Sequence, residues 1–386
     1  MTLDPRDPNV VWVGTGENNA QRSVSFGDGV YKSEDGGGTW RNVGLKTSEH
    51  IGKIVIDPRD SRVVYVAAQG PLWSEGGERG LYKTTDGGET WARILGGEKW
   101  AGVNEVDLDP RNPDILIAST WQRHRHVWGY LAGGPESALH RSTDGGRSWK
   151  KITAIPEGEG RIGLARSASH PDIVYAIVEA GNDRGGTFRS DDNGVSWNRQ
   201  GSYSTTSLYY QEIWVDPREP DRVYSVNVQT MVSTDGGRTF TQLGESGKHV
   251  DNHAVWVDPD DTSHLLIGSD GGLYESFDRG RTYKFFGNLP VTQFYKVDVD
   301  QNAPFYNVYG GTQDNFSFGG PTRTRSANGI RNSDWFVTAG GDGFQSRVDP
   351  KDHNTIYAES QNGGLVRFDR RTGNAVRIVP EPPTPP

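Results

Sequence analysis

The sequence predicts an all-β chain, a β-propeller of about eight four-stranded repeat units of which the first is incomplete. Three observations carry this prediction. An eight-residue phrase recurs six times, an Asp-Pro turn recurs at steps of 42 to 58 residues, and the composition is rich in Gly (51 of 386) and Trp (12 of 386). Steps of this length are typical of propeller blades, and frequent glycines suit many short turns between strands.

The recurring phrase has the form Ser/Thr-x-Asp-x-Gly-x-Ser/Thr-aromatic. Its Asp can accept hydrogen bonds from turn amides, and its Gly permits a positive φ, so the phrase predicts a tight turn between two strands. We expect its Asp to have a structural role and its closing aromatic to be buried between neighbouring units. The six copies occupy residues 33–40, 84–91, 142–149, 190–197, 233–240 and 276–283.

The second unit illustrates the four strands that are predicted for one repeat. Strands are predicted at 51–56, 63–68, 80–84 and 90–95, with apolar runs such as Ile54-Val55-Ile56 indicating burial on both faces. The turn at Asp57-Pro58 joins the first two strands, because Pro is accepted in a turn and disrupts a central strand. The phrase around Asp86 joins the last two strands.

These residues give the chain a family resemblance. The phrase matches the Asp-box of bacterial neuraminidase repeats (BNR), and the chain resembles the propellers of sortilin-type domains and of xyloglucan-cleaving glycoside hydrolases. It looks closest to long bacterial sortilin-like or glycosyl-hydrolase repeat proteins. The resemblance implies a propeller and an extracellular or periplasmic location. The Arg-Ile-Pro signature of sialidases is absent, so we do not expect a sialidase.

The domain organisation follows from the repeats. Residues 1–379 are predicted to form the propeller and residues 380–386, a Pro-rich stretch, a linker. Only the tail of a first strand precedes Asp4. We therefore expect the chain to be a segment of a longer repeat protein, with adjacent repeats of the same polypeptide as partners.

Composition excludes several classes of function. Forty-one basic against fifty acidic residues give a net charge of −9, which argues against nucleic acid as a partner. No apolar run is long enough to span a membrane, and no signal peptide is present in this chain. With no cysteine and no zinc, phosphate-loop or calcium-loop motif, we expect no cofactor and no metal.

Long connections identify a candidate binding face. The loops between second and third strands lie on the same face as the segments that lead into each first strand. These loops are long in units one to three and short in units five and six. The loop of unit three contains Trp121, His124, His126 and Trp128. Its rings suit stacking on sugar rings. Packing against an adjacent domain and metal binding by the two histidines are the alternatives.

Polar residues recur where the chain enters the first strands. In four units the position seven residues before the Asp-Pro turn, or its weaker equivalent, is occupied by His50, Asp251, Gln293 and Asp342. Glu212 lies near the equivalent place in another unit, and Asp314 ends a second strand. In an extended strand His249, Asp251 and His253 would point the same way. A catalytic or ligand role, a polar plug of the central channel and a metal site all remain open for this cluster.

Two functions remain open at this level. The main hypothesis is a binding propeller that takes a glycan, peptide or protein in a cleft, as sortilin-type domains do. The alternative is a glycoside hydrolase, for which the resemblance implies a carboxylate pair, and Asp251 and Asp342 are the catalytic candidates. Fold alone does not choose between an enzyme and a binding module.

Overall fold

The computed structural model describes residues 1–156, 160–289 and 291–380. Except for Pro380, the predicted linker lies outside the described residues. Strands account for nearly all of the regular structure, together with short 3-10 helices at Asn332–Asp334 and Gln361–Gly363. The prediction of an all-β chain is confirmed.

The strands form eight four-stranded antiparallel sheets and one two-stranded hairpin within the described ranges. The first sheet consists of β1 (Thr2–Leu3), β2 (Val11–Gly14), β3 (Val30–Ser33) and β4 (Arg41–Gly44), and the second of β5 (Ile51–Ile56), β6 (Val64–Ala68), β7 (Gly80–Thr84) and β8 (Ala92–Leu95). The third consists of β9 (Ala101–Leu108), β10 (Leu116–Gln122), β13 (Ala138–Ser142) and β14 (Lys150–Lys151), and the fourth of β15 (Ile162–Arg166), β16 (Val174–Val178), β17 (Gly186–Ser190) and β18 (Asn198–Gly201). The fifth consists of β19 (Ile213–Val215), β20 (Val223–Ser225), β21 (Met231–Ser233) and β22 (Thr241–Gln242).

The hairpin is inserted into the third sheet and consists of β11 (His124–His126) and β12 (Gly129–Leu131). The sixth sheet consists of β23 (Asn252–Val257), β24 (Leu265–Ser269), β25 (Gly272–Ser276) and β26 (Lys284–Phe285). The seventh consists of β27 (Phe294–Val299), β28 (Asn307–Thr312), β29 (Ser317–Pro321) and β30 (Phe336–Ala339). The eighth consists of β31 (Ser346–Val348), β32 (Thr355–Ser360), β33 (Gly364–Asp369) and β34 (Asn374–Arg377).

The chain divides into two compact units. Unit 1 comprises Met1–Gly268 and Tyr274–Lys284, and unit 2 comprises Ser269–Leu273 and the described residues from Phe285 onward. In unit 1 the first two sheets pack through a core that includes Trp12, Val64 and Val66, each completely buried. Burial on both faces of β6 explains its uninterrupted apolar run.

The six Asp-box turns share one hydrogen-bond pattern. In the second sheet the Thr84 hydroxyl donates to Asp86 Oδ1 over 2.6 Å, and the Thr90 amide and hydroxyl donate to the same carboxylate over 2.9 and 2.6 Å. Gly88, with φ of +98°, brings its N–H to within 3.0 Å of the Thr84 hydroxyl. The carboxylate is thus occupied by its own turn, as expected for a structural role.

The closing aromatics of the Asp-boxes differ in burial. Trp197 is buried, Trp91 and Trp149 are half-buried, and Trp40 is 44% exposed. Trp91 donates its Nε1–H to the Val43 carbonyl of the first sheet over 2.8 Å. The prediction of burial is wrong for Trp40, which belongs to the first sheet and has no preceding sheet of unit 1 to pack against.

Candidate functional site

Three aspartates meet in unit 2, each from a different connection. Asp270 lies in the turn between β24 and β25, Asp314 in the turn between β28 and β29, and Asp342 in the segment leading into β31. The Asp314 N–H donates to Asp342 Oδ1 over 2.7 Å, and both neighbouring carboxyl groups are within hydrogen-bonding reach of the Asp314 side chain. We call these three residues the aspartate trio.

Backbone geometry holds the trio together. Asp314 adopts a left-handed conformation with φ of +60°, which turns its N–H toward Asp342. On either side of Asp342, the Gly343 N–H donates to the Thr312 carbonyl over 2.8 Å and the Phe316 N–H donates to the Gly341 carbonyl over 3.1 Å. A Cβ on Gly343 would lie 2.4 Å from the Phe316 carbonyl oxygen, so this close approach requires glycine.

The electrostatics of the trio favour a protonated carboxyl. Burial, followed by the hydrogen bond and the charge of Asp270 and by the charge and hydrogen bond of Asp342, raises the pKa of Asp314 to about 7. Carboxyl groups this close cannot all ionise, so the protons belong to the group as a whole. Near neutral pH the trio therefore retains a proton that it can donate.

Amide and aromatic side chains of unit 2 contact the chain segments that carry the trio or lie on them. Asn315 donates its Nδ2–H to the Asp270 carbonyl over 2.8 Å and thereby connects the two turns. The rings of Tyr295 and Phe344 are parallel with centroids 5.5 Å apart, and the Tyr295 hydroxyl donates to Gln313 Oε1 over 2.5 Å. These groups place a flat apolar surface in the same unit as the carboxyl groups, the combination that sugar binding uses. The predicted ligand residue Gln293 is exposed just before β27.

Asp251 lies in unit 1, in a different environment. Its carboxylate accepts a hydrogen bond from the Tyr210 hydroxyl over 2.9 Å, and the Tyr210 ring stacks on His253 with centroids 5.8 Å apart. Asp251 has φ of +57° and β23 begins only at Asn252. The alternation expected for an extended strand is therefore interrupted, and the His249 ring is within hydrogen-bonding distance of the adjacent Val250 carbonyl, 2.8 Å away.

Glu212 belongs to a buried network of unit 1. Arg161, with no solvent exposure, donates to Glu212 Oε1 over 2.6 Å, to Asn104 Oδ1 over 3.1 Å and to the Tyr210 carbonyl over 2.8 Å. Asn18 donates to the same Glu212 oxygen over 3.2 Å. Glu212 is therefore held by hydrogen bonds inside unit 1.

The other predicted ligand residues of unit 1 divide into buried and exposed groups. His50 and Trp121 are each 1% exposed, so they pack inside the unit instead of presenting a surface. Burial, and then the charge of Arg123, lower the pKa of His50 to about 3, which keeps its ring neutral. His124 and His126 are half-buried on β11, and Trp128 at the hairpin tip is 85% exposed.

Three residues were not identified from the sequence, although the structure places them beside predicted site residues: Asp270 beside Asp314, Arg161 beside Glu212 and Trp100 beside His124. Asp270 marks a two-residue turn and gives no sign of a partner at positions 314 and 342. Arg161 lies in no recurring phrase, and Trp100 is separated from the hairpin by more than twenty residues. A sequence signal existed only for Asp270, because its turn falls on the face that carries the other candidate residues.

Comparisons with known proteins show similarity to xyloglucanases. No family model matches. The chain is 24% identical over 286 residues to xyloglucanase Xgh74A of Acetivibrio thermocellus, covering 64% of this chain and 32% of that protein. It is 28% identical over 319 residues to a probable oligoxyloglucan-reducing end-specific xyloglucanase of Neosartorya fischeri, covering 71% and 36%. The chain thus spans about a third of the length of these relatives.

Similarity to a solved structure supports the fold. The crystal structure of an ancestral GH74 enzyme superposes with a TM-score of 0.52 at 14% identity, covering 96% of this chain and 67% of that one. The fold class predicted from the repeats, an all-β propeller built of four-stranded sheets, is confirmed. Among the described residues no helix is long and apolar enough to cross a membrane.

Proposed function

We propose that this chain is a glycoside hydrolase that cleaves a neutral polysaccharide of the xyloglucan type. The observation that carries the proposal is the meeting of three carboxyl groups from three connections, which raises the pKa of Asp314 to about 7. The similarity to proteins named xyloglucanase supports the substrate class. This proposal takes the enzyme alternative of the sequence analysis and replaces Asp251 by Asp314 in the carboxylate pair.

The trio provides a proton donor for glycosidic cleavage. Asp314, whose pKa is raised to about 7, would in its protonated form donate a proton to the oxygen of the departing sugar. Asp342 lies within hydrogen-bonding reach of Asp314, closer than the about 5–9.5 Å that separates the opposed carboxyl groups of glycosidases, so its role would be to share and return the proton of Asp314. The stacked Tyr295 and Phe344 rings would support a sugar ring through its C–H face.

The test uses purified chain and xyloglucan, with released reducing ends as the readout. Asp314→Asn and Asp342→Asn should each lower turnover by about 10²–10⁴-fold, because each removes a proton-transfer group. Asp251→Asn is the matched control and should keep most of the activity, since its carboxylate is bound to Tyr210 in unit 1. Full activity of Asp314→Asn with an unchanged circular dichroism spectrum contradicts the assignment.

A second candidate function is a non-catalytic propeller that binds a glycan, peptide or protein, as sortilin-type domains do. The exposed Trp128 at the hairpin tip favours it, because a large apolar ring in solvent is typical of a binding surface. Binding of a polysaccharide without release of reducing ends would favour this function over hydrolysis. Either function, with a polysaccharide as ligand, implies a secreted or periplasmic protein.

A further inference from the structure

The inserted hairpin has two chemically distinct sides. Side chains alternate along a strand, so Trp121, Arg123 and Arg125 point one way and His124 and His126 point the other. Trp121 and Arg123 are completely buried, whereas the two histidines are half-buried. The odd-numbered residues therefore attach the hairpin to unit 1, and the even-numbered residues face outward.

The attachment is made by arginines that bind main-chain carbonyls. Arg123 donates to the Asn19 carbonyl over 2.6 Å and to the Gly70 carbonyl over 3.0 Å. Arg125 donates from its side chain to the Ala20 carbonyl over 2.7 Å and from its main chain to the Leu72 carbonyl over 3.0 Å. Charged donors make strong hydrogen bonds, so the base of the hairpin is held in one orientation.

The outward side carries a continuous series of rings, which we call the ring stack: Trp100, His124, His126 and Trp128. Trp100 and His124 are stacked with centroids 3.6 Å apart, and His126 and Trp128 are stacked at 4.7 Å with planes 10° apart. The two histidine rings meet edge to face at 3.9 Å. Each ring supports the next, from the base of the hairpin to its tip.

The outer face of the last ring is open to solvent. Trp128 is 85% exposed, although one of its faces covers His126. The hairpin that carries Trp128 is held at its base by arginine hydrogen bonds, and tryptophan is enriched among the residues that dominate binding energy. The geometry therefore presents one rigid indole face with little conformational entropy left to lose on binding.

Charges near the stack disfavour a cationic ligand. Burial, followed by the charges of His126 and Arg79, lowers the pKa of His124, so that ring stays neutral at neutral pH. Arg125 and Arg22 place two like positive charges beside the hairpin, which disfavours a cationic ligand. A neutral pyranose ring offers the flat C–H face that stacks on indole and hydroxyls that arginine can bind.

We propose that Trp128 is a stacking platform for a pyranose ring of a neutral polysaccharide, with Trp100, His124 and His126 as positioning residues beneath it. The substrate class rests on the proposed function, whereas the platform itself rests on the ring stack. The platform belongs to unit 1, and the aspartate trio belongs to unit 2. It binds the polymer and takes no part in the cleavage chemistry.

The experiment measures binding in an Asp314→Asn background, which leaves the glycan intact. Tryptophan fluorescence is titrated with cellohexaose and with a xyloglucan oligosaccharide. Trp128→Ala should weaken binding about three- to tenfold, the range for loss of one ring-stacking contact, and should abolish most of the fluorescence change. His126→Ala should weaken binding less than Trp128→Ala, and His126→Phe, which keeps a flat ring under the indole, should restore it.

The matched control is Trp256→Ala, which removes another partly exposed tryptophan of unit 1. It should bind both oligosaccharides as the Asp314→Asn parent does. Equal affinity of the Trp128→Ala and Trp256→Ala variants overturns the platform, even if the wild-type chain hydrolyses xyloglucan. Binding that depends on Trp128 without any hydrolysis supports the platform and refutes the proposed enzyme. Binding of neither oligosaccharide by the parent overturns the platform.

Discussion

Asp314 shows how one residue acquires its chemistry from backbone geometry. A left-handed φ of +60° is uncommon outside glycine, although Asp tolerates it better than most residues. Here it aims the Asp314 N–H at Asp342 while the side chain remains beside Asp270. The strain is offset by these contacts, and such offset strain is frequent at functional sites.

The first residue-scale prediction concerns Asp270. Asp270→Asn should lower the pKa of Asp314 from about 7 toward its usual range, because it removes a neighbouring negative charge. Carboxyl carbon NMR of the aspartates across pH 4–9 measures this directly. If Asp314 is the proton donor, the alkaline limb of the pH–activity profile should move to lower pH, since the protonated form is then lost earlier. An unchanged Asp314 titration would show that Asp270 does not act on it.

Position in the repeat identified Asp314 and Asp342 from the sequence, whereas contacts that depend on turn geometry were not anticipated. Asp342 and Asp314 were both selected by their place on one face, yet the pairing of Asp251 with Asp342 treated equal offsets as equal environments. Asp251 instead binds Tyr210, a contact set by a positive φ and by a ring 41 positions away. Neither can be derived from spacing.

At the scale of elements, repetition made the strands predictable. The second sheet was expected at 51–56, 63–68, 80–84 and 90–95, and it occupies Ile51–Ile56, Val64–Ala68, Gly80–Thr84 and Ala92–Leu95. The insertion in the third unit was expected as an irregular loop, but it forms the β11–β12 hairpin. Its strands have only three residues each, and they are held by arginine contacts to distant carbonyls that no local pattern reveals.

The element-scale prediction concerns the hydroxyl at the start of each Asp-box. In the fourth sheet the completely buried Ser190 accepts from the Gly194 N–H over 2.8 Å and donates to Asp192 over 2.8 Å. Ser190→Ala leaves a buried N–H unpaired and should lower the free energy of unfolding by about 1–3 kcal/mol. Urea denaturation measures the loss.

Ser196→Ala is the control for that change. Ser196 also donates to Asp192, over 2.6 Å, but it is exposed, so water can replace its hydrogen bond. Ser196→Ala should therefore lower the free energy of unfolding by less than Ser190→Ala does. Equal losses for the two variants would mean that the buried position of the hydroxyl does not matter.

At the scale of the whole molecule, the repeated turns act together on stability. Hydrogen bonds from the Asp-box amides and hydroxyls lower the pKa of the box aspartates, to about 2 for Asp35, Asp144, Asp235 and Asp278. An aspartate in the unfolded chain titrates near pH 3.9. Buried Glu105 and half-buried Asp107 act in the opposite direction, because burial raises the pKa of each and their ionisation at higher pH opposes folding.

The last prediction is a steep loss of stability in acid. A carboxylate whose folded-state pKa is lowered contributes stability above the unfolded value, and that contribution disappears as pH falls through the folded value. The urea midpoint should therefore change little between pH 6 and pH 5 and fall sharply between about pH 4 and pH 2, where several boxes take up protons on unfolding together. Denaturation curves at pH 6, 5, 4, 3 and 2 test this. A midpoint at pH 3 equal to that at pH 6 would show that the box carboxylates do not support the fold, whereas a shallow decline would indicate that only one or two of them do.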